Sequence, residues 1–444
     1  MPAKGDEMDN SERTWGITPV PERLRTLTFL DLGLLWGNLG ISLLVIVAGA
    51  LLVPALGLRD ALLAILVGSL LGCALLGLAG KIGADRRLPG MVLLRDPLGK
   101  QGSYAPTALN VLQNFGWATF ELLVIAQAAN ALADRVFGFR QEWVWILVFG
   151  AVIAWLALAG PISLVRRYIR RFAIWAVLAS TAYLTWWTID GADIGVLWDA
   201  SGEGGLSWWQ GVDLTIAMAA SWLPLAADYT RFSRTGRGAF WGTSSGYFVS
   251  LVWMLALGAL LALSRGLSDP STLLAIVATG GVASALALLA LTVDETDEPF
   301  ANVYSAAVSL QNLFPRVSQQ LLIVAAGGIA IGGAFVIDLY SDYFVFLLLL
   351  GSFFVPLFGV LAADYLLGAT REVAVRWSGL VAWLAGVALY QWIQPTGPEW
   401  WTSLIDGGRR PDIGASLPAF ALAFVLYAAL RSPVAGRTLA ARRL

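Results

Sequence analysis

Histidine is absent from this chain of 444 residues, and cysteine occurs once, as Cys73. Without an imidazole there is no Ser-His triad, no His metal ligand and no His proton relay. A lone thiol inside an apolar run makes neither a disulfide nor a thiolate metal site. Charge is scarce too: Asp, Glu, Lys and Arg make up 13% of the residues and balance to a net −1, against about 25% charged in ordinary globular chains. The basic residues lie in short scattered clusters, so no broad electropositive surface exists to hold a nucleic-acid backbone. No Gly-x-x-x-x-Gly-Lys-Ser/Thr loop occurs, which removes ATP hydrolysis as an energy source within the chain. Residues 1–28 are polar and carry Lys4, Arg13, Arg23 and Arg25, unlike a cleavable secretory leader.

What the chain has in abundance is apolar length: 58% hydrophobic residues and a mean hydropathy of +0.71. A span needs about 20 apolar residues at 1.5 Å rise each. The pattern predicts an all-α integral membrane protein of twelve spans near 29–56, 61–80, 105–133, 143–165, 172–189, 210–230, 238–264, 280–311, 318–337, 343–367, 377–394 and 414–430. An even count puts both termini on one side. Of the 29 basic residues, 23 then fall in the tails and loops of that side and 6 on the other, which places both termini in the cytoplasm of a cell-membrane protein. Trp186–Trp187, Trp208–Trp209 and Trp400–Trp401 fall at the outer ends of their spans, where an indole prefers the headgroup layer.

Two spans carry helix-breaking sequence at mid-membrane depth: Gly37-Asn38-Leu39-Gly40 in the first and Ser221-Trp222-Leu223-Pro224 in the sixth. Irregular backbone there must be buried in protein or line a wet cavity. Spans one and six are five apart, so two antiparallel five-helix halves are expected, with the paired breaks marking a substrate site. The resulting division is a tail at 1–28, repeats at 29–189 and 190–367, and two further helices with a tail at 368–444. The bland alternative for each break is a packing glycine or an ordinary membrane proline kink.

Polar residues cluster in two of the spans. Asn110, Gln113, Asn114, Trp117 and Glu121 recur at spacings of three and four in the third span, placing them on one helix face. Amides suit the hydrogen-bonding edge of a flat heterocycle, and Trp117 offers a face for stacking a ring; interhelical bonding is the structural alternative. Glu121 fits equally a coupling role or a buried hydrogen-bonded carboxyl. In the eighth span Asp294, Glu295, Asp297 and Glu298 fall within five residues. On a continuous helix Asp294, Asp297, Glu298, Asn302 and Ser305 share one face. An Asp facing lipid costs about 2.5–3.5 kcal/mol, so these acids are expected to face water, each other or a cation, binding Na⁺ through oxygen ligands or carrying a proton. The alternative is that Leu273 to Val293 span alone, leaving the acids in a solvated turn before a surface helix at 300–313. Asp228, Arg231 and Asp364 close the sixth and tenth spans at their cytoplasmic ends and are expected to form structural ion pairs or gate anchors.

At these residues the sequence resembles the nucleobase–cation symporter (purine–cytosine permease) family, from about 22 to 370. The resemblance is carried by LLWGNLGISLLVIVAGALL in the first span, Met91…Arg95…Leu98-Gly99-Lys100-Gln101-Gly102-Ser103-Tyr104, LNVLQNFGWA at 109–118, GLSWWQGVDLTIAMAASWLPLAADYTRFSR at 205–234, NVYSAAVSLQNL at 302–313 and ADYLL at 363–367. The third- and sixth-span wording is most similar to the hydroxymethylpyrimidine-permease branch. The resemblance implies a LeuT-type fold of 5+5 inverted repeats with broken helices 1 and 6, and uptake of a nitrogen heterocycle with Na⁺ or H⁺ by alternating access. It implies a ring clamped by Trp117 and Trp222 with Asn114, and Gln113 beside it, at the ring's edge; the residues themselves add Asn38, Gly40, Asn110, Glu121 and Asn302 as candidates around it. A family cation site lies between the first-span break, here Gly37 to Ile41, and the eighth span, where this chain departs from the branch in having Asp294, Asp297 and Glu298.

The expectation is therefore a secondary active importer of a pyrimidine-like base, hydroxymethylpyrimidine in the lead, with no bound cofactor beyond a coupling cation. Its partners are a small heterocycle and membrane lipid; nothing sets an oligomeric state, and a monomer suffices. Rival readings are a cation channel lined by the acids and a membrane sensor that binds without translocating. An enzyme is not expected, since no nucleophile and base can be paired.

Overall fold

Apolar helical runs separated by Gly-, Pro- and Arg-containing loops fold into an all-helical bundle. The computed structural model describes residues 18–159, 163–267, 270–313, 316–368, 373–405 and 410–431. Outside them lie the tail residues Lys4, Arg13, Arg437, Arg442 and Arg443, the loop residues Arg371 and Arg409, and the side chains of Arg166, Arg167, Arg170, Arg171 and Asp297. The longer helices are α1 (Phe29–Leu39), α2 (Leu43–Ala50), α3 (Leu58–Arg86), α4 (Tyr104–Phe137), α5 (Glu142–Ala159), α6 (Ser163–Asp190), α7 (Trp208–Ala220) and α8 (Leu223–Thr230). They continue as α9 (Gly236–Ser264), α10 (Val282–Asp294), α11 (Asp297–Leu313), α12 (Gln319–Gly333), α13 (Ser341–Leu367), α14 (Trp377–Ile393) and α15 (Ser416–Leu430). Helices α3, α4, α9 and α13 are each long and apolar enough to cross a bilayer, and α1 with α2 make one further span bent by 61°. Leu63, Leu66 and Leu70 of α3 are exposed at spacings of three and four, a stripe suited to lipid rather than water.

The breaks fall where glycine, serine and proline fall. α1 ends at Gly40, and Ser42 caps α2 by accepting from Leu44 N at 3.1 Å. The sixth-span segment turns at Ser221–Trp222, and α8 then restarts with Pro224 in its first turn, where a missing N–H costs nothing. The eighth-span segment departs from expectation. It is not one helix from 280 to 311 but two, α10 and α11, parted by a turn at Glu295–Thr296. A separate short helix, Leu273–Thr279, precedes them, so no single span runs from Leu273 to Val293 either.

The two predicted repeats interleave. α9 packs along α3, α1 and α2, while α7 lies between α3 and α13, and α11 packs on α4. Backbones approach closely at the α9 seam because glycine faces backbone there. A side chain at Gly246 would collide with the backbone of Gly33, and one at Gly258 with that of Ile46, the small-residue packing that replaces a hydrophobic drive inside a bilayer.

One buried acid away from the breaks joins the last helix to the bundle. Asp213 of α7 is 1% exposed, and its carboxylate accepts from Ala415 N at 2.6 Å and Ser416 N at 3.1 Å, satisfying the start of α15. Asp213→Ala strips both N–H groups of their acceptor, at roughly 1–3 kcal/mol for each. The expected result is a lower melting temperature in detergent, with Asp213→Asn, which keeps one acceptor oxygen, falling between; an unchanged melting temperature for the Ala variant refutes the assignment.

Candidate functional site

The predicted face of α4 is buried: Asn110, Gln113, Asn114, Trp117 and Glu121 are all at most 8% exposed. Gln113 Nε2 donates to Asn110 Oδ1 at 2.9 Å and to the carbonyl of Ser221 at 3.2 Å. That second bond ties α4 to the backbone freed at the α7–α8 turn, beside the half-buried Trp222. Asn110 is thereby engaged as Gln113's acceptor. Among the described residues, Gln113 Oε1 and both amide atoms of Asn114 have no hydrogen-bond partner. A buried amide left unbonded costs about 1–3 kcal/mol, and Asn114 keeps a donor and an acceptor available here.

Aromatic rings bracket these amides. Trp117 meets Tyr343 edge-on at 6.0 Å between centroids and Phe346 at 5.4 Å, both on α13. Trp222 meets the fully buried Trp36 of α1 edge-on at 5.8 Å, and Trp36 in turn meets Tyr247 of α9 at 6.0 Å. The two indoles named from sequence thus stand in separate aromatic groups, Trp117 with rings of α13 and Trp222 with rings of α1 and α9. Trp36, Tyr247, Tyr343 and Phe346 escaped the sequence reading because aromatic residues fill membrane helices generally.

One turn beyond Trp117, the Glu121 carboxylate is fully buried and accepts from Asn302 Nδ2 with both oxygens, at 2.8 and 3.0 Å. Asn302 comes from α11, so the predicted third- and eighth-span faces do meet. The Glu298 side chain also reaches Glu121.

The acid cluster is resolved differently from its sequence pattern. The buried acid is Glu295, 3% exposed, which the helical periodicity left off the shared face. Its carboxylate accepts from Ser42 Oγ and from Leu43 N, each at 2.7 Å, at the first turn of α2. Asp294 and Glu298 are half-buried. The face that grouped Asp294 with Asp297, Glu298 and Asn302 assumed an unbroken helix, and the turn at Glu295–Thr296 changes the phase. Among the described residues no three acidic or thiol side chains converge on one point; the side chain of Asp297 lies outside them. Ser42 had a readable signal, a Ser directly before an apolar run being an N-cap pattern; Glu295 had none, its partner lying 253 positions away.

At the first-span break, Asn38 is half-buried, and its carbonyl accepts from Ile41 N at 3.0 Å. Gly37 and Gly40 face α9: a side chain at Gly40 would strike Ser250, and one at Gly37 would lie 3.7 Å from the carbonyl of Gly246. Gly40 therefore packs closely against α9. Toward the expected cytoplasmic ends, Asp228 accepts from Gly90 N at 2.9 Å, anchoring the short helix Gly90–Leu93, and Asp364 accepts from Tyr427 Oη at 2.7 Å.

A helical bundle with backbone breaks meeting at buried amides, indoles and carboxyls is the build of a membrane carrier. The sequence profile of the permeases for cytosine/purines, uracil, thiamine, allantoin matches residues 19–376, and the chain belongs to that family. It is similar to the cytosine permease of Escherichia coli O157:H7, 25% identical over 399 residues that cover 84% of this chain and 88% of the permease. It is also similar to the hydantoin permease of Microbacterium maritypicum, 24% identical over 389 residues, 82% of this chain and 78% of that one. Its fold is that of the nucleobase-cation-symport-1 transporter Mhp1 in a closed conformation with bromovinylhydantoin bound, at a TM-score of 0.74 and 19% identity, covering 94% of this chain and 95% of that one.

Proposed function

We propose that this permease imports an amino-substituted pyrimidine-like base, hydroxymethylpyrimidine or cytosine in kind, together with Na⁺ or H⁺, by alternating access. It would do so as twelve spans in the cell membrane with both termini in the cytoplasm, built from inverted repeats at 29–189 and 190–367. The observation that carries the substrate assignment is the polar set on α4: an unbonded acceptor at Gln113 Oε1 and an unbonded donor and acceptor at Asn114, with the Glu121 carboxyl beyond them, whose oxygens accept from Asn302 and each keep a further lone pair. A carboxyl group pairs in a fork with an amino group and the ring nitrogen beside it, one proton being shared between carboxyl and ring. A ring bearing only oxo groups offers the carboxyl an N–H beside a C=O, whose oxygen is far less basic than the ring nitrogen of an aminopyrimidine, so the shared proton is held more weakly there. Trp117 and Trp222 supply the stacking surfaces, and Asn38 lies at the α1 end. For the coupling cation, the junction of Glu295 with Ser42 offers oxygen ligands of the kind Na⁺ takes.

The test is uptake into proteoliposomes of radiolabelled cytosine, hydroxymethylpyrimidine, uracil and hydantoin under an imposed Na⁺ or pH gradient. Saturable, gradient-accelerated uptake that favours the amino bases is expected. Ion currents without saturable uptake would establish the channel reading instead. Glu121→Gln keeps the size but not the charge. A hydrogen bond to a charged group contributes about 1.5–3 kcal/mol, so preference for cytosine over uracil should fall by roughly ten- to a hundred-fold; wild type and variant with the same preference overturn the role of Glu121.

A further inference from the structure

A second cavity, of about 700 Å³, opens well away from the central site, on the face where α7 begins, α14 ends and α15 begins. Its lining includes Ser207 and Gln210 at the start of α7, Gln394 at the end of α14, Thr402 on the short helix Glu399–Ile405, and Arg410 and Asp412 ahead of α15. Gln394 is 6% exposed, and among the described residues its Nε2 has no hydrogen-bond partner. Arg410 is fixed in the wall through Nη2, which donates to the carbonyl of Ile405 at 2.9 Å. The lining thus presents amide, hydroxyl and guanidinium donors together with one exposed carboxylate, Asp412.

Beside this polar pocket the surface is apolar. On the short helix, Trp400 and Leu404, four residues apart and so on one face, are 70% and 73% exposed, while Thr402 is turned to the cavity. Ile413 and Leu417 continue the apolar surface. A short helix with one polar and one apolar face, carrying an exposed indole, is built to lie at a membrane–water boundary, and the Trp pairs put this end of the bundle at that level. A donor-rich cavity bordering a greasy apron at this depth fits an amphiphile. Among the described residues the lining holds one guanidinium and one carboxylate, so its charge complement there is a zwitterion.

We propose that this pocket binds the phosphoethanolamine headgroup of a membrane phospholipid. The phosphate lies toward Arg410 and the Gln394 amide, the ammonium toward Asp412, and the acyl chains run along Trp400, Leu404 and Ile413. The site is separate from substrate binding and stands or falls independently of the substrate assignment.

The test is native mass spectrometry of the delipidated full chain titrated with phosphatidylethanolamine, with phosphatidylglycerol, and with water-soluble glycerophosphoethanolamine. Preferential retention of phosphatidylethanolamine is expected, with Arg410→Gln weakening it about tenfold, as the loss of a charge-assisted hydrogen bond does, and Asp412→Asn erasing the preference over phosphatidylglycerol. Equal retention of both lipids by the wild type overturns the headgroup assignment, and that arm needs no variant to fold. Competition by glycerophosphoethanolamine at the same concentration as the lipid shows a site for soluble phosphoesters and overturns the lipid assignment. Lipid retention unaltered in both variants places the lipid elsewhere on the surface.

Discussion

Replacing Trp117 by Ala should weaken substrate binding by roughly 5- to 150-fold, since base–aromatic stacking contributes about 1–3 kcal/mol by such truncation. The indole sits one helical turn from the unbonded Asn114 amide, and its position is held by Tyr343 and Phe346 of α13. Truncation therefore removes the stacking surface and also opens a hole between α4 and α13; losing a buried Trp side chain costs about 3–5 kcal/mol of stability. The two effects separate experimentally. Ligand affinity is read by calorimetry on folded, monodisperse protein, and stability by its melting temperature without ligand. Trp117→Phe, which keeps an aromatic face, should recover most of the affinity while melting below wild type. Unchanged affinity in Trp117→Ala removes Trp117 from the clamp, whatever happens to the melting temperature.

Glu295→Ala should be the most disruptive change in the eighth-span region. Its carboxylate is the acceptor for Ser42 Oγ and Leu43 N, and both groups are buried where α1 and α2 part. Each donor left without an acceptor costs roughly 1–3 kcal/mol, so the pair costs about 2–6 kcal/mol, and the start of α2 loses its anionic partner as well. Glu295→Gln retains one acceptor oxygen and should fall between. In contrast Asp294→Asn, at a half-buried position, should leave the melting temperature near wild type. The measurement is thermal unfolding in detergent together with uptake in proteoliposomes. Transport should be abolished in the Ala variant, because the bonds tie the first-span break to the eighth-span turn, where the proposed cation ligands lie. A Glu295→Ala protein that melts and transports like wild type would show that this junction carries no such weight.

Much of the site was legible because helical periodicity is a local property. The spacing of Asn110, Gln113, Asn114, Trp117 and Glu121 predicted one buried face, and each of these residues is buried. The breaks at Gly40 and at Ser221–Trp222 were equally legible, since glycine and proline disturb a helix whatever surrounds it. The same reasoning went astray at the acids. Counting a 3.6-residue period through 294–298 presumed a helix that the chain leaves at Glu295–Thr296. Pro299, in the first turn of α11, is the local signal for that turn, since proline cannot bond the carbonyl four residues back; no local signal marks the acid it buries, which bonds to atoms 252 and 253 positions away.

By itself, then, the sequence determined that this is a helical membrane protein, where the first and sixth spans break and which face of α4 is polar, because transfer to lipid and backbone propensity are properties of a residue and its near neighbours. The tertiary structure alone decided that Glu295, not Asp294, enters the first-span junction, that Gly40 packs against Ser250, and that Asp213 holds the start of α15. Each of those is a contact between segments far apart in the chain, and its energy exists only once packing has brought donor to acceptor.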